Sequence, residues 1–297
     1  MSTFTVQVHK PGWVTFGQAL PQGYAPKQVR LEGIESQVDV KCLWPDESMK
    51  FGIVTGNAEF IGDYALFPDS PVTSSWERIV PDNRFWLWLV DGWDQSWYSQ
   101  PSEFFQDSSS WLNGSLVGEG RSYSQLWSES AGVWQSHHFL RVVWDVRCYR
   151  DGTYRVDIAI ENCLHEAGEE IGYSVSLWDG ERILWFQDWL QHYYLTRWRR
   201  VCWTDKDKQG VAIPSVDALI ESKSLPRYLN LITNDVLDSV GSAFQTMGSA
   251  ALNPDMTAHS WRPEIAPYPD WTARALVHQH PRQIDYVLAN GDLAGSW

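Results

Sequence analysis

The sequence is short of several things, and each shortage removes a class of function. Positive charge is scarce: 23 Lys and Arg stand against 37 Asp and Glu, for a net charge of -14. A field of that sign repels polyphosphate, so nucleic acid is excluded as the main partner. It also opposes a polyanionic polysaccharide, unless arginines focus a local positive site. Cysteine is sparse. Cys42, Cys148, Cys163 and Cys202 form no CxxC pair, which removes zinc-ribbon and thioredoxin-like readings. Three of the four fall on apolar phases of expected strands, as buried free thiols do. No apolar run approaches the ~20 residues of a membrane span. The opening MSTFTVQVHKPGW has no cationic head before an apolar run. Synthesis in a cytoplasm without a signal peptide is therefore expected, with thiols reduced and with a later place in a virion still open.

Catalytic signatures are missing as well. There is no HExxH, GxGxxG, P-loop or GxSxG. His137-His138 and His278-x-His280 lack metal spacing, so neither a metal nor a cofactor is expected. Asp188 and Glu264 could be nominated as a glycosidase pair, but with 37 acids any pair could be.

What is abundant is tryptophan, with 19 residues spread from Trp13 to Trp297. Indole rings fill cores, form interfaces and serve as stacking platforms. Most of these rings are expected to fill cores or subunit interfaces. The excess points a minority toward sugar stacking or a large interface.

Periodicity predicts a mainly β chain in three parts. Residues 1–95 read as short strands of a small antiparallel β-barrel. Phe4, Val6 and Val8 alternate with polar residues, as do Val38, Val40, Cys42 and Trp44. A turn at Pro45-Asp46-Glu47-Ser48 leads to Met49, Phe51 and Ile53. Residues 62–82 read as an excursion or linker. Phe85 to Val90 is apolar on both faces, which suits a buried or interface strand. Residues 96–213 read as an antiparallel β-sandwich. Its clearest part is a hairpin whose arms flank Asp151-Gly152; a second turn is expected at Asp179-Gly180. Residues 99–131 show no period and read as a long ordered loop. Residues 214–297 read as a short helical part, with helices over 217–224, 225–240, 270–280 and 281–289. Asp270 is the expected N-cap of the third, and Pro281 lies in the first turn of the last.

The stretch HYYLTRWRRVCW, His192 to Trp203, combines aromatic and cationic side chains most densely. Read as one strand, it puts His192, Tyr194, Thr196, Trp198 and Arg200 on one face. That face could offer Trp198 and Tyr194 for stacking on sugar rings, His192 and Thr196 for hydrogen bonds, and Arg200 for a carboxylate. As a lyase, the stretch would use His192 or Tyr194 as base and Arg197, Arg199 or Arg200 to neutralise a uronate, with Arg200 the one on the same face. The bland alternative is that the rings pack between domains and the arginines pair with acids. Trp261 and Arg262 form a second ligand-binding candidate, set against an ordinary ion pair of Arg262 with Glu264.

Several segments together resemble a group of largely uncharacterised bacterial and phage proteins. They are Thr15-Phe16-Gly17-Gln18, Trp44-Pro45-Asp46, the hairpin from Asp145 to Asn162, the stretch His192 to Trp203, and the segments WRPEIAPYPDWTARALV and LANGDLAGSW. More distantly, the order of parts is similar to exo-acting rhamnogalacturonan lyases, which join a small barrel, a β-sandwich and an α/α toroid. The resemblance implies a barrel, a sandwich and a partial toroid. The four or so helices expected after Pro214 fall short of a full toroid, and with it of a complete lyase groove. Two functions follow as expectations. One is a structural or glycan-recognition protein of an assembly, associated with a phage virion or tail, whose partners are other subunits and a surface glycan. The alternative is a polysaccharide lyase.

Overall fold

A computed structural model of the chain describes residues 3–70, 77, 79–101, 111–164, 168–227, 246–247 and 268–293. The chain is mainly β, with an N-terminal barrel-like part, a large central antiparallel sheet and short C-terminal helices.

The N-terminal part consists of β1 (Phe4–Lys10), β2 (Gly12–Ala19), β3 (Gln28–Leu31), β4 (Ser36–Leu43), β5 (Met49–Ala58) and β6 (Gly62–Asp69). Strands β2, β5 and β4 form a three-stranded sheet. Strands β1, β6 and β3 form a second sheet, which β15 (Val211–Ile213) extends from far along the chain. The inward residues Val6, Val8, Val14, Val29, Val54 and Leu66 share one core, as alternating apolar positions demand. The turn after Trp44 is present, with Glu47 at φ 64 and the Trp44 N–H donating to the Ser48 carbonyl at 2.8 Å. Residues 62–69 are strand, not linker. Two shifts of register around Cys42 break the alternation at the end of β4, where Cys42 is exposed; ahead of them Val40 is exposed as well and Gln37 is buried. Cys148 and Cys202 are the buried thiols, and Cys163 is exposed.

The central sheet has eight strands: β7 (Phe85–Asp91), β8 (Ser96–Ser99), β9 (Val117–Ser130), β10 (Val133–Tyr149), β11 (Tyr154–Asn162), β12 (Ile171–Asp179), β13 (Arg182–His192) and β14 (Thr196–Trp203). Their order is β13-β12-β7-β8-β9-β10-β11-β14. All eight strands contribute to a single core, which includes Leu89, Trp97, Leu126, Trp144, Ile158, Tyr173, Leu190 and Trp198. The sheet therefore curls around its own inner face and nearly closes, with β13 and β14 flanking the seam. Strand β7 precedes residue 96 in sequence but belongs to this sheet, between β12 and β8. Both expected hairpin turns form, with Gly152 at φ 80 and Gly180 at φ 57, conformations that glycine adopts without strain.

Residues 117–130 are strand rather than loop. The pattern is inverted: Gly118, Gly120, Ser122 and Ser128 are buried, while Arg121, Tyr123 and Trp127 are exposed. Small inward residues make room for large neighbours, and Trp144 Nε1 donates to Ser124 Oγ at 2.8 Å. A Cβ on Gly118 would lie 1.9 Å from the Ile79 carbonyl oxygen. Gly118→Ala is therefore expected to destabilise the fold by about 1–3 kcal/mol, read as a lower urea midpoint at unchanged slope.

The two β parts meet through Trp13, Tyr149 and Trp203, whose rings stack at 4.9 and 5.5 Å. Gln37 bridges the same junction. Its Oε1 accepts from the Leu116 and Val117 N–H groups, both at 2.9 Å, and its Nε2 donates to the Val117 carbonyl at 3.0 Å.

The helices are α1 (Val216–Glu221), α2 (Asp270–His278) and α3 (Pro281–Leu293). Ser215 caps α1, and Pro281 opens α3 as expected. Asp270 is the first helical residue of α2 rather than its cap; Pro269 takes the cap position and offers no side-chain acceptor. Most of the helix expected over 225–240 lies outside the described residues. No described helix is long and apolar enough to cross a membrane.

Candidate functional site

The stretch His192 to Trp203 is not one strand. Strand β13 ends at His192, the chain turns through Tyr193, Tyr194 and Leu195, and β14 starts at Thr196. Leu195 takes φ 59, a left-handed conformation that a strand cannot accommodate. The expected platform face is broken by this turn, and half of it points into the core. Trp198 and His192 are fully buried. Trp198 Nε1 donates to Tyr173 Oη at 2.6 Å, Tyr173 Oη lies 2.8 Å from His192 Nδ1, and His192 Nε2 lies 3.1 Å from the Thr196 carbonyl. One proton arrangement satisfies the whole chain of contacts. Tyr173 donates to Nδ1, and a neutral imidazole donates from Nε2. Neither nitrogen is open to take a proton from a ligand, and Trp198 has no surface on which a sugar could stack.

The remaining residues of that face are dispersed. Thr196 Oγ1 donates to the Tyr193 carbonyl at 2.7 Å, so its hydroxyl serves the turn. The Tyr194 ring occupies the space that a Cβ on Gly168 would fill. Arg200 lies over the Trp185 ring at 5.4 Å, away from Tyr194. Trp261 and Arg262 lie outside the described residues. The two arginines on the opposite phase are paired. Arg197 meets Glu161 at 3.5 Å; Arg199 meets Asp157 and donates to the Gly291 carbonyl in α3 at 2.7 Å.

Burial sets the titration of the inner histidines. It pushes His192 down to about 4 against the hydrogen bond to Thr196, and it likewise pushes His137 down to about 4, aided by His138. His137 Nδ1 accepts the Leu140 N–H at 3.2 Å, which also requires an unprotonated nitrogen. A histidine with a lowered native pKa binds fewer protons folded than unfolded. Its contribution is complete above the unfolded value near 6.5 and is lost as pH falls toward 4. Acidification across that window is expected to cost at most about 3 kcal/mol per ring. Urea midpoints measured from pH 7 to pH 4 check this, and His192→Gln is expected to flatten part of the slope.

The outer surface of the eight-stranded sheet divides into two halves. On β9, β10, β11 and β14 it carries cross-strand ion pairs, including Arg121–Asp145 at 2.7 Å and Arg197–Glu161 at 3.5 Å. On β12, β7, β8 and β9 it carries rings. Trp178 stacks on Trp86 at 4.7 Å with planes 12° apart, and Trp88 lies parallel to Tyr98 at 6.4 Å. Register puts Trp178 opposite Trp86, Trp88 opposite Tyr98, and Tyr98 opposite Trp127. Strand alternation produces this row, because Phe85, Leu87 and Leu89 point inward and leave Trp86 and Trp88 outside.

Beside this row runs a groove of about 730 Å³, lined by the rings of Trp86, Tyr98, Tyr123, Trp127 and Trp134. Its other lining residues are Asn83, Ser99, Gln100, Pro101, Ser124 and Gln125, so no charged side chain lines it among the described residues. Tyr98, Trp127 and Trp134 are 42%, 43% and 60% exposed, which leaves ring faces open to a ligand. Chemically the groove offers flat apolar faces edged by neutral donors and acceptors. The sequence hides this site because two of its rings, Tyr123 and Trp127, sit on a strand whose inward face is mostly Gly and Ser. The alternation of Tyr123 and Trp127 with Ser was the signal that could have found it. Among the described residues no group of three His, Cys, Asp or Glu is placed to hold a metal ion. Neither a protein-family model nor a curated protein sequence matches the chain.

Proposed function

We propose that the chain is a non-enzymatic glycan-recognition protein working as a subunit of an assembly, with the aromatic groove as its carbohydrate site. The observation that carries this reading is the uncharged, five-ring lining of the groove. A pyranose presents C–H faces that stack on indole and phenol rings and hydroxyls that exchange hydrogen bonds with amide and hydroxyl side chains. Among the described residues no charged side chain lines the groove, which in a chain of net charge -14 favours a neutral glycan over a uronate polymer.

Membership of an assembly is supported by the outer face of the edge strand β13, where Ile183, Phe186 and Trp189 are each at least half exposed. Exposed apolar side chains on an edge strand are a contact surface for another subunit. Placement in a phage virion or tail rests on the resemblance of the Asp145–Asn162 and His192–Trp203 segments. The lyase alternative needs a base and a cation beside a sugar, and His192 has both nitrogens engaged in the core.

Titration of the chain with neutral oligosaccharides, followed by intrinsic tryptophan fluorescence, tests the reading. A saturable change with the sugar recovered intact supports it. Cleavage of the sugar, or no response across neutral hexose and deoxyhexose oligomers, counts against it.

A further inference from the structure

A second cavity, of about 270 Å³, lies at the seam between β13 and β14, where α3 crosses. Trp185, Arg199, Arg200, Lys206, Gln209 and Asp292 line it. The cations here are not equivalent. On the eight-stranded sheet Arg121, Arg141, Arg147, Arg155, Arg182, Arg197 and Arg199 each meet a carboxylate. Arg200 is the exception among the arginines of that sheet. Its guanidinium rests on Trp185, and its Nε–H is buried with no acceptor among the described residues. Lys206 stands at the rim, exposed and without an ion pair among the described residues. Asp292 is the cavity's acid: burial pushes its carboxyl up against the charges of Arg155, Arg199 and Arg200, and of these Arg155 is the one at ion-pair distance, 3.9 Å.

In a chain with 37 acids and 23 Lys and Arg, two cations with no carboxylate at ion-pair distance among the described residues converge on one cavity, and that needs an explanation. A buried donor without an acceptor is unfavourable, and a guanidinium fork is shaped to hold two oxygens of one group. Stacking on Trp185 fixes the plane of the fork before anything binds. Gln209 adds a neutral donor and acceptor at the same wall.

We propose that the seam cavity is a binding site for a small oxyanion, a carboxylate or phosphate group, held by Arg200 and Lys206. The site is separate from the aromatic groove and does not depend on the glycan reading. It ties β13, β14 and α3 together around the ligand, at the place where the sheet fails to close.

Calorimetric titration of the full chain at low ionic strength, with inorganic phosphate, glucuronate and glucose as probes, tests it. The expected result is one-site binding of phosphate or glucuronate and none of glucose. Arg200→Gln is expected to weaken that binding on the order of tenfold, and Lys206→Ala severalfold, while Trp127→Ala leaves it unchanged. Binding of phosphate alone assigns a phosphorylated ligand, and binding of glucuronate alone assigns a sugar acid. If Arg200→Gln does not fold, Lys206→Ala decides, because Lys206 is exposed. Failure of both anions to bind, or binding equal in wild type and both variants, overturns the proposal.

Discussion

Trp198→Ala is expected to lower the stability of the fold by about 3–5 kcal/mol. The side chain is fully buried in the core shared by all eight strands. Its removal opens a cavity beside Trp185, whose ring lies 5.6 Å away. It also removes the donor that occupies Tyr173 Oη, so a second buried polar group loses a partner. Trp198→Phe retains most of the volume and is expected to cost less, about 1–3 kcal/mol, chiefly through that lost hydrogen bond. Urea denaturation of the two variants separates the cavity from the hydrogen bond. Variants that still fold are expected to bind glycan as the wild type does. Loss of sugar binding in a fully folded Trp198→Phe would return this residue to the recognition site.

Trp127→Ala is expected to have the opposite profile. The ring lies on the outer face of β9, is 43% exposed, and faces Tyr98 across the strand pair. Truncating it removes a stacking face and opens the groove wall without opening the core. A well-placed aromatic anchor contributes about 2 kcal/mol to binding, so affinity for a neutral oligosaccharide is expected to fall roughly thirtyfold. Stability is expected to change by less than about 0.5 kcal/mol. Gln125→Ala, which removes a neutral hydrogen-bonding group from the same wall, is expected to weaken binding by a smaller factor. An unchanged affinity in Trp127→Ala would place the sugar elsewhere on the molecule.

These two residues also mark how far the sequence could be read. Local signals carried the β architecture. Alternation around Asp151-Gly152 and the glycine turn at Asp179-Gly180 fix hairpins within a few residues, because turn chemistry and period two act locally. The platform failed on a property that alternation does not encode. Phase tells which residues share a face, but not whether that face lies inside a curled sheet or outside it. Trp198 and Trp127 have equally aromatic side chains on well-formed strands, and only closure of the sheet buries one and exposes the other. The left-handed Leu195 compounds the error, since nothing in Tyr-Tyr-Leu announces a turn. Strand β9 escaped for a related reason. Most of its core-facing residues are Gly and Ser, matched to the size of Trp144 and the approach of Ile79, and those contacts are made by distant segments. The exception in the other direction is Arg200. Its residue type pointed to anion chemistry from the start, and its place at the seam, apart from Tyr194, gives that chemistry a different setting.

The apolar edge of β13 links the fold to the proposed assembly. Oligomeric state in solution reports on it, and substituting Phe186 and Trp189 by Ser is expected to shift any oligomer toward monomer without loss of sugar binding.

The central claim is that the aromatic half of the eight-stranded sheet holds a neutral glycan without cutting it. The most direct measurement is titration of wild type and Trp127→Ala with the same neutral oligosaccharide, with the sugar analysed by chromatography after prolonged incubation. The account predicts saturable binding by the wild type, a loss of roughly thirtyfold in the variant, and intact sugar in both. Equal binding by the two proteins, or shortened sugar in the wild-type sample, would contradict it.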